Sequence, residues 1–236
     1  MAAVVDELAP TITALGLAPQ EHAHSGRIGN TRIAALVCGI GADRAVTALD
    51  RIVEVHGTAR VIHLGFAGGL DPTLPAGAVP PIRLVMDESG LAWCLDGDRP
   101  TSVADHDAYP TNQKLITINH ITGSVAAKRR LFEQHRACAV DMETFAVARR
   151  AAQLDVRLTV LRAISDTAHT ALPRAASQWV TPDGSRDTMA VTRHLALHPW
   201  QLQDILRLRR NARLAAQALA DRVEEIVGRG HDAMTL

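Results

Sequence analysis

The sequence contains few cysteines, and their spacing indicates neither a cross-link nor a metal site. Three occur, at Cys38, Cys94 and Cys138, and no two of them have the CxxC spacing. An odd count without that spacing gives no disulfide framework and no zinc-binding motif. Because such cysteine usage is typical of proteins in a reducing compartment, we expect a cytoplasmic location.

The chain also lacks an excess of charge and a long apolar run. Lysine plus arginine and aspartate plus glutamate each number 25, so no overall field attracts nucleic acid or an anionic membrane. The first residues, MAAVVDELAPTITAL, lack the basic start of a signal peptide and place Asp6 and Glu7 where its apolar segment would lie. No run reaches the roughly 20 apolar residues of a membrane span. We therefore expect a soluble protein that binds a small molecule, with no nucleic-acid partner and no transmembrane segment.

Strand-like and helix-like segments alternate along the chain. Segments such as TRIAALVCG, ARVIHLGFAGG and RLTVLRAIS have the composition of buried strands, and amphipathic helical stretches lie between several of them. Near-continuous apolar strands favour a sheet that is covered on both faces. The length of 236 residues fits one domain over 1–236. Within it we expect a hairpin and a loop at about 87–111 and a C-terminal helix at about 199–228.

Two glycine clusters follow predicted strands, in CGIGADRA and GFAGGL. Glycine lets backbone amides approach a ligand closely, although tight strand-to-helix turns explain each cluster equally well. The first cluster resembles the start of a dinucleotide-binding loop, but Arg44 stands where the third glycine would be. No acid ends the next strand to hold a cofactor ribose. These departures argue against a nicotinamide site.

Two other polar patterns are explained by surface positions. His194 and His198 lie one helical turn apart, but the glutamate of a metalloprotease motif and a third ligand are absent. Surface histidines are the simpler interpretation, so no metal site is predicted. The cationic run in AKRRLFEQHR is similarly interpreted as a solvated helix face.

Three acids follow predicted strands. Asp141 and Glu143 come directly after ACAV, and Asp166 ends RLTVLRAISD. In an open parallel sheet, ligands bind beyond the carboxyl ends of the strands, so these acids are expected at one rim. The alternative is compensation of helix dipoles, worth about 0.3 to 1 kcal/mol each. That alternative suffices for Asp141, whereas Glu143 and Asp166 remain open between the two explanations.

Several motifs in order carry a family resemblance. The segments DEL (6–8), CGIG (38–41), GFAGGL (65–70), GSV (123–125), VDMET (140–144) and RAISDTA (162–168) together resemble the nucleoside phosphorylase and nucleosidase superfamily. Local spacing is most similar to methylthioadenosine/S-adenosylhomocysteine nucleosidases. The last third, with SDTAHTALP, TPDG and HPWQLQDILRLRRNARLAAQAL, is similar to hopanoid-associated phosphorylases, which are thought to remove adenine from adenosylhopane. The resemblance implies a three-layer α/β/α fold with a central mixed, largely parallel twisted sheet.

The resemblance also implies roles for individual residues in cleavage of a purine nucleoside, most simply a 5′-modified adenosine. Asp166 would protonate or hydrogen-bond N7 of the leaving purine, and Glu143 would bind the ribose hydroxyls while Met142 packs against the sugar. His120, in place of the usual phenylalanine, and Ile121 would contact the base. Further substrate-binding positions in these motifs are Ser165, Phe66, Ala67, Gly68 and Ile40.

The nucleophile is left open between water and phosphate. Glu7 matches the base that activates water in nucleosidases, with Asp6 as the neighbouring alternative, although the apolar first strand expected before this acid is shortened to MAAVV. Phe66 and His63 replace residues that phosphorylases use for phosphate. An anion would then depend on Arg32, Arg44 or the amides around Gly41 and Gly68. Inorganic phosphate is thus a possible co-substrate, and no metal or organic cofactor is implied.

Two alternatives remain, one in the substrate and one in the class of protein. The substrate is adenosylhopane in one version and methylthioadenosine, S-adenosylhomocysteine or futalosine in another. A protein that binds nucleosides without turning them over is the alternative of another class. A large apolar 5′ group, or a transient contact with a membrane surface, would involve Phe66, Trp179, Trp200 and Leu202. For most of these residues, core packing is the simpler explanation.

By analogy with nucleosidases, we expect a homodimer.

Overall fold

The centre of the computed structural model is a seven-stranded mixed sheet. The structure describes residues 1–21, 23–57, 60–96, 100–103, 105–173, 181, 197 and 199–232. The strands of both sheets in the described residues are β1 (Ala18–Pro19), β2 (His24–Ile28), β3 (Thr31–Ala35), β4 (Arg60–Gly69), β5 (Leu84–Asp87), β6 (Ala92–Cys94), β7 (Thr101–Val103), β8 (Lys114–Thr117), β9 (Ala139–Asp141) and β10 (Arg157–Asp166). Its helices are α1 (Val5–Ala14), α2 (Ala42–His56), α3 (Val125–His135), α4 (Thr144–Gln153) and α5 (Leu202–Asp232).

The seven strands lie in the order β10-β4-β9-β8-β5-β6-β7, and β1, β2 and β3 form a separate small sheet. The pairs β10–β4, β9–β8 and β8–β5 are parallel. The pairs β4–β9, β5–β6 and β6–β7 are antiparallel. The mixed α/β sheet predicted from the sequence is confirmed, and the expected hairpin in 87–111 is the antiparallel edge formed by β5, β6 and β7.

Helices cover both faces of this sheet. On one face Leu49 of α2 and Val147 of α4 join the core formed with Val61 and Val160. On the other face Leu8 of α1 and Leu219 of α5 pack in a second core, with Leu64 and Leu161 of the strands. Each fully buried leucine or valine contributes roughly 1.5–3 kcal/mol relative to exposure. The two-sided core accounts for the near-continuous apolar sequence of β4 and β10.

Local signals set several helix boundaries. The α2 helix ends at Gly57, whose φ of 55° lies in the left-handed region that favours glycine. The Ser124 hydroxyl caps α3 by accepting a hydrogen bond from the Ala127 amide at 3.1 Å. The predicted C-terminal helix at 199–228 is present, with a 3-10 turn at Pro199–Gln201 before α5 begins at Leu202.

The first residues lead directly into α1. Ala2 makes only an isolated parallel bridge with Val37, and α1 then begins at Val5. Because the chain turns into a helix so early, Glu7 lies in the first turn of α1. Its carboxylate can therefore reach back to the backbone at the helix start and across to the sheet.

Candidate active site

The candidate site lies where three strands meet at Gly68. In β10, Asp166 is opposite Gly68 of β4, just after an irregularity in the pairing. In β9, Val140 is opposite the same glycine from the other side. An added Cβ on Gly68 would lie 3.1 Å from Val140 Cγ1 and 3.4 Å from Asp166 Oδ2. Glycine thus permits the close approach of β9 and of the Asp166 carboxylate.

The reason for the convergence of the acids differs from the one predicted. The prediction placed Asp141 and Asp166 at the shared carboxyl rim of a parallel sheet. However, β4 and β9 run antiparallel, so their carboxyl ends point in opposite directions. Asp166 and Val140, the residue before Asp141, nevertheless flank the same residue of β4, because each is paired with Gly68.

Glu7 is a buried acid held by backbone amides. Its Oε2 accepts hydrogen bonds from the amides of Ala3 at 2.9 Å and Val4 at 3.0 Å, and its Oε1 accepts one from the Phe66 amide at 2.7 Å. Burial raises the pKa of the Glu7 carboxyl, and these hydrogen bonds and the charge of Arg162 oppose that shift. A buried acid with a raised pKa is suited to proton transfer near neutral pH. Of the two acids in this turn, Glu7 is the buried one, and it accepts the hydrogen bond from Phe66.

Glu143 is the second buried acid and immediately precedes α4. Its Oε1 accepts a hydrogen bond from the Gly41 amide at 3.0 Å, which joins the first glycine cluster to the VDMET motif. Gly41 has a φ of 105°, a conformation that side chains rarely adopt. Burial, followed by the negative charge of Asp141, raises the pKa of Glu143 to about 7.

Asp141 belongs to a buried network, which the helix-dipole explanation does not account for. Its Oδ2 does accept a hydrogen bond from the Thr144 amide at 3.1 Å, as expected for an acid at the start of α4. The same oxygen also accepts one from Arg162 Nε at 2.9 Å, and Oδ1 accepts one from the Thr117 hydroxyl at 2.6 Å. The helix-dipole explanation is therefore incomplete, because Thr117 of β8 and Arg162 of β10 also donate hydrogen bonds to the Asp141 carboxylate.

Arg162 is the site residue that the sequence interpretation overlooked. It is buried, and it lies opposite Gly65 in the pairing of β10 with β4. A Cβ on Gly65 would lie 2.8 Å from Arg162 Nη1 and 3.2 Å from Glu7 Oε1, so the guanidinium lies between Glu7 and Asp141. The sequence did contain a signal for this residue, namely an arginine inside the otherwise apolar segment LTVLRAIS. Because an unpaired charge is rarely buried, such an arginine indicates a buried acidic partner.

His63 lies against this arginine and does not supply positive charge. Arg162 Nη2 lies 3.3 Å from Nδ1 and 3.2 Å from Nε2 of the buried imidazole. Burial, followed by the charge of Arg162, lowers the pKa of His63 well below its ordinary value of 6.5. The imidazole is consequently neutral at physiological pH and is a poor replacement for a phosphate-binding arginine.

Asp166 has a cationic partner rather than the apolar surroundings expected for a protonated acid. Its Oδ2 forms an ion pair with the ammonium of Lys128, and its Oδ1 accepts a hydrogen bond from the Ser165 hydroxyl at 2.8 Å. Lys128 belongs to the AKRRLFEQHR segment. The prediction of a solvated helix face is wrong for this lysine, because its side chain is fully buried.

The other predicted site residues divide by exposure. Partly buried positions are Ile40, Gly41, Phe66, Gly68, Met142 and Ser165, and Ala67 is buried. His120 and Ile121 are exposed, with His120 Nδ1 3.1 Å from Asn119 Oδ1. Arg32 in β3 and Arg44 in α2 are also exposed.

The apolar residues considered for a 5′ group also differ from expectation. Trp200 is 71% exposed and Leu202 is 47% exposed, so core packing is wrong for both. Trp179, His194 and His198 lie outside the described residues. Within the part of the chain that the structure describes, no group of three or more histidine, cysteine, aspartate or glutamate residues is arranged to hold a metal ion. The described helices include none that is both long and apolar enough to cross a membrane.

The two-sided mixed sheet and the cluster of buried acids define an α/β protein with a polar site where β4, β9 and β10 meet. A sequence model described as the phosphorylase superfamily matches residues 6–118 and 90–196. The chain therefore belongs to the phosphorylase superfamily, which confirms the family indicated by the sequence motifs. Membership of this family indicates an enzyme.

Known proteins resemble the chain in sequence and in fold. A 5′-methylthioadenosine/S-adenosylhomocysteine nucleosidase from Haemophilus ducreyi is 27% identical over 170 residues, which is 61% of this chain and 72% of the relative. The Helicobacter pylori enzyme of that name, solved with butyl-thio-DADMe-Immucillin-A, has a TM-score of 0.62 at 18% identity, over 95% of this chain and 96% of its own. Futalosine hydrolase from Helicobacter pylori has a TM-score of 0.61 at 18% identity, over 95% of each chain.

Proposed function

We propose that the protein cleaves the N-glycosidic bond of a purine nucleoside, with a 5′-modified adenosine as substrate and adenine as the released base. The observation that carries this proposal is the placement of three buried acids, Glu7, Glu143 and Asp166, on different elements at the two glycine clusters. Glu7 and Asp166 lie beside GFAGG, and Glu143 binds the amide of Gly41 in the first cluster. Such cleavage needs a base for the nucleophile, a group that stabilises the ribose cation and a contact to the leaving purine. The family membership supports the same reaction class.

Each acid has a distinct proposed role. Glu7 accepts the proton of the attacking water, because its Oε1 retains a lone pair beyond the hydrogen bond from Phe66. Glu143 accepts hydrogen bonds from the ribose hydroxyls and stabilises positive charge at the anomeric carbon, with Met142 packed against the sugar. Asp166 donates a proton or a hydrogen bond to N7 of the leaving purine, with the Ser165 hydroxyl beside it. His120, Ile121, Phe66, Ala67, Gly68 and Ile40 are the remaining proposed substrate contacts.

Hydrolysis is favoured over phosphorolysis. A phosphate site needs several positive or donor groups, but Phe66 stands in the glycine motif and His63 is a neutral, buried imidazole. Arg32, Arg44 and the amide of Gly41 remain the proposed groups for an anion in the phosphorolytic alternative. Base release measured with and without inorganic phosphate tests this choice. We expect free ribose derivatives in both buffers, whereas a ribose 1-phosphate product that forms only with phosphate would establish phosphorolysis.

Adenosylhopane is the 5′-modified adenosine that we favour, because the tail resembles hopanoid-associated phosphorylases. The exposed apolar side chains of Trp200, Leu202 and Leu206 at the start of α5 support a transient contact of this region with a membrane surface that presents the lipid. The named relatives support methylthioadenosine, S-adenosylhomocysteine or futalosine equally well. Initial rates of base release on all four nucleosides discriminate these substrates by their kcat/KM values.

Two further properties belong to the proposal. We expect a cytoplasmic homodimer, and sedimentation at micromolar concentration tests the dimer. The alternative of another class, a nucleoside-binding protein without turnover, predicts binding in calorimetry but no base release over hours. Release of adenine that depends on Asp166 excludes that alternative.

A further inference from the structure

Lys128 has no role in the proposed reaction so far, yet it binds Asp166, the acid placed at the leaving base. It lies in the first turn of α3, and its side chain has no exposed surface. Its ammonium contacts Asp166 Oδ2 and donates to the carbonyl oxygens of Thr167 at 2.8 Å and Thr170 at 3.0 Å. The carbonyl of Asp166 itself lies 3.5 Å away.

The neighbouring cation on the same helix behaves differently. The Arg129 side chain is 79% exposed and pairs with Glu133 four residues later, as a solvated helix face would. A buried ammonium costs several kcal/mol unless oxygen atoms surround it. All three protons of Lys128 have acceptors at Asp166, Thr167 and Thr170, so the fold compensates that cost at the end of β10.

The contacts of Lys128 join three parts of the molecule. They connect α3 to the Asp166 carboxylate and to the turn at 167–170, which the hydrogen bond from the Thr170 amide to the Thr167 carbonyl closes at 3.0 Å. The Leu172 amide donates to the Gly123 carbonyl at 2.8 Å, which fixes the same segment to the loop before α3. With Oδ2 held by Lys128 and Oδ1 next to Ser165, the plane of the carboxylate has one defined orientation.

We propose that Lys128 is a positioning residue for Asp166, acting through the carboxylate to set which oxygen meets the leaving purine. This inference rests on the proposed function, because it assumes that Asp166 contacts the base. Loss of the lysine frees the carboxylate to rotate. An error of about 1 Å in a reacting group can cost roughly 100-fold in rate.

The test compares Lys128→Met and Lys128→Gln with a matched control. Lys114→Met also deletes a buried lysine, but Lys114 contacts the His106 carbonyl at 3.3 Å and not Asp166. For each variant, kcat and KM for adenine release from 5′-methylthioadenosine and adenosine are measured, together with the folded fraction by circular dichroism and urea titration. If the methionine variant does not fold, the glutamine variant replaces it, because its neutral side-chain amide can still donate hydrogen bonds to the carbonyl oxygens.

We expect kcat to fall about 100-fold in a fully folded Lys128 variant while KM changes less than about 3-fold. Lys114→Met should retain kcat within about 3-fold. The inference is overturned if a folded Lys128 variant keeps its kcat, if Lys114→Met loses as much, or if neither Lys128 variant folds. An unmodified protein that releases no base from any of the nucleosides contradicts the proposed function, and this inference falls with it.

Discussion

Arg162 of β10 and Asp141 of β9 form an ion pair whose side chains are 2% and 1% exposed. The pair spans β4, which lies between these two strands in the sheet. The glycine at position 65 leaves the room that the guanidinium occupies. One cation therefore lies among Asp141, Glu7 and Glu143, and it limits the accumulation of negative charge at this site.

Removing the cation should be strongly destabilising. We expect Arg162→Met to lower the free energy of unfolding by about 3–5 kcal/mol, because it leaves the Asp141 carboxylate buried without its partner. Urea unfolding at pH 7 measures the change. Arg150→Met is the matched control, since Arg150 pairs with Asp50 at 2.6 Å in a partly exposed position and should cost less than about 1 kcal/mol. Equal losses in the two variants would contradict the account of the buried network.

The pH dependence of the unfolding free energy should reflect the protonation of Glu143. Its pKa is raised from 4.5 to about 7 in the folded chain, so folding favours the protonated carboxyl. This contribution is fully present below pH 4.5 and is lost as the pH rises to about 7, with a total of roughly 3 kcal/mol. Glu143→Gln should therefore remove a decline of about that size from the unfolding free energy between pH 4.5 and 7. Glu133→Gln, at an exposed position on α3, should leave the decline unchanged.

The two acids in the first turn of α1 should differ in catalysis. We expect Glu7→Gln to lower kcat for base release by about 10²–10⁴-fold with little change in KM, because a neutral amide cannot take a proton from water. Asp6→Asn should retain kcat within about 3-fold, since Glu7 is the acid that accepts from Phe66. Steady-state adenine release measures both. The reverse order of effects would assign the base to Asp6.

Gly65 should not tolerate a side chain. A Cβ there would lie 2.8 Å from Arg162 Nη1, closer than such contacts occur, and would displace the guanidinium. We expect Gly65→Ala to lower the free energy of unfolding by about 1–3 kcal/mol and to reduce kcat. Gly228→Ala in α5 meets nothing within 4 Å and should stabilise the protein by about 0.5–1 kcal/mol. A neutral Gly65→Ala would show that Arg162 is not fixed by this close contact.

Much of the fold could be predicted because the signals are local. Near-continuous apolar runs placed β4 and β10, an amphipathic pattern that ends at Gly57 placed α2, and the ordered motifs indicated the family. The burial of Lys128 could not be predicted, because Lys128, Arg129 and Arg130 are adjacent cations and only the position of Asp166 distinguishes them. The partner of Asp141 lies 21 residues further along the chain, in another strand. The antiparallel pairing of β4 with β9 likewise depends on tertiary packing. It is the reason that the predicted shared carboxyl rim for Asp141 and Asp166 is absent.

The most direct test of the central claim is base release by the unmodified protein and by Asp166→Asn, measured on whichever of the four nucleosides the unmodified protein cleaves fastest. The folded fraction of each is measured alongside, because the substitution leaves Lys128 without its ionic partner. We predict that the unmodified protein releases adenine, and that a folded Asp166→Asn binds the nucleoside in calorimetry but releases base about 10²–10⁴-fold more slowly. Equal release by the two proteins, or binding without release by the unmodified protein, would contradict the claim that this site cleaves the glycosidic bond.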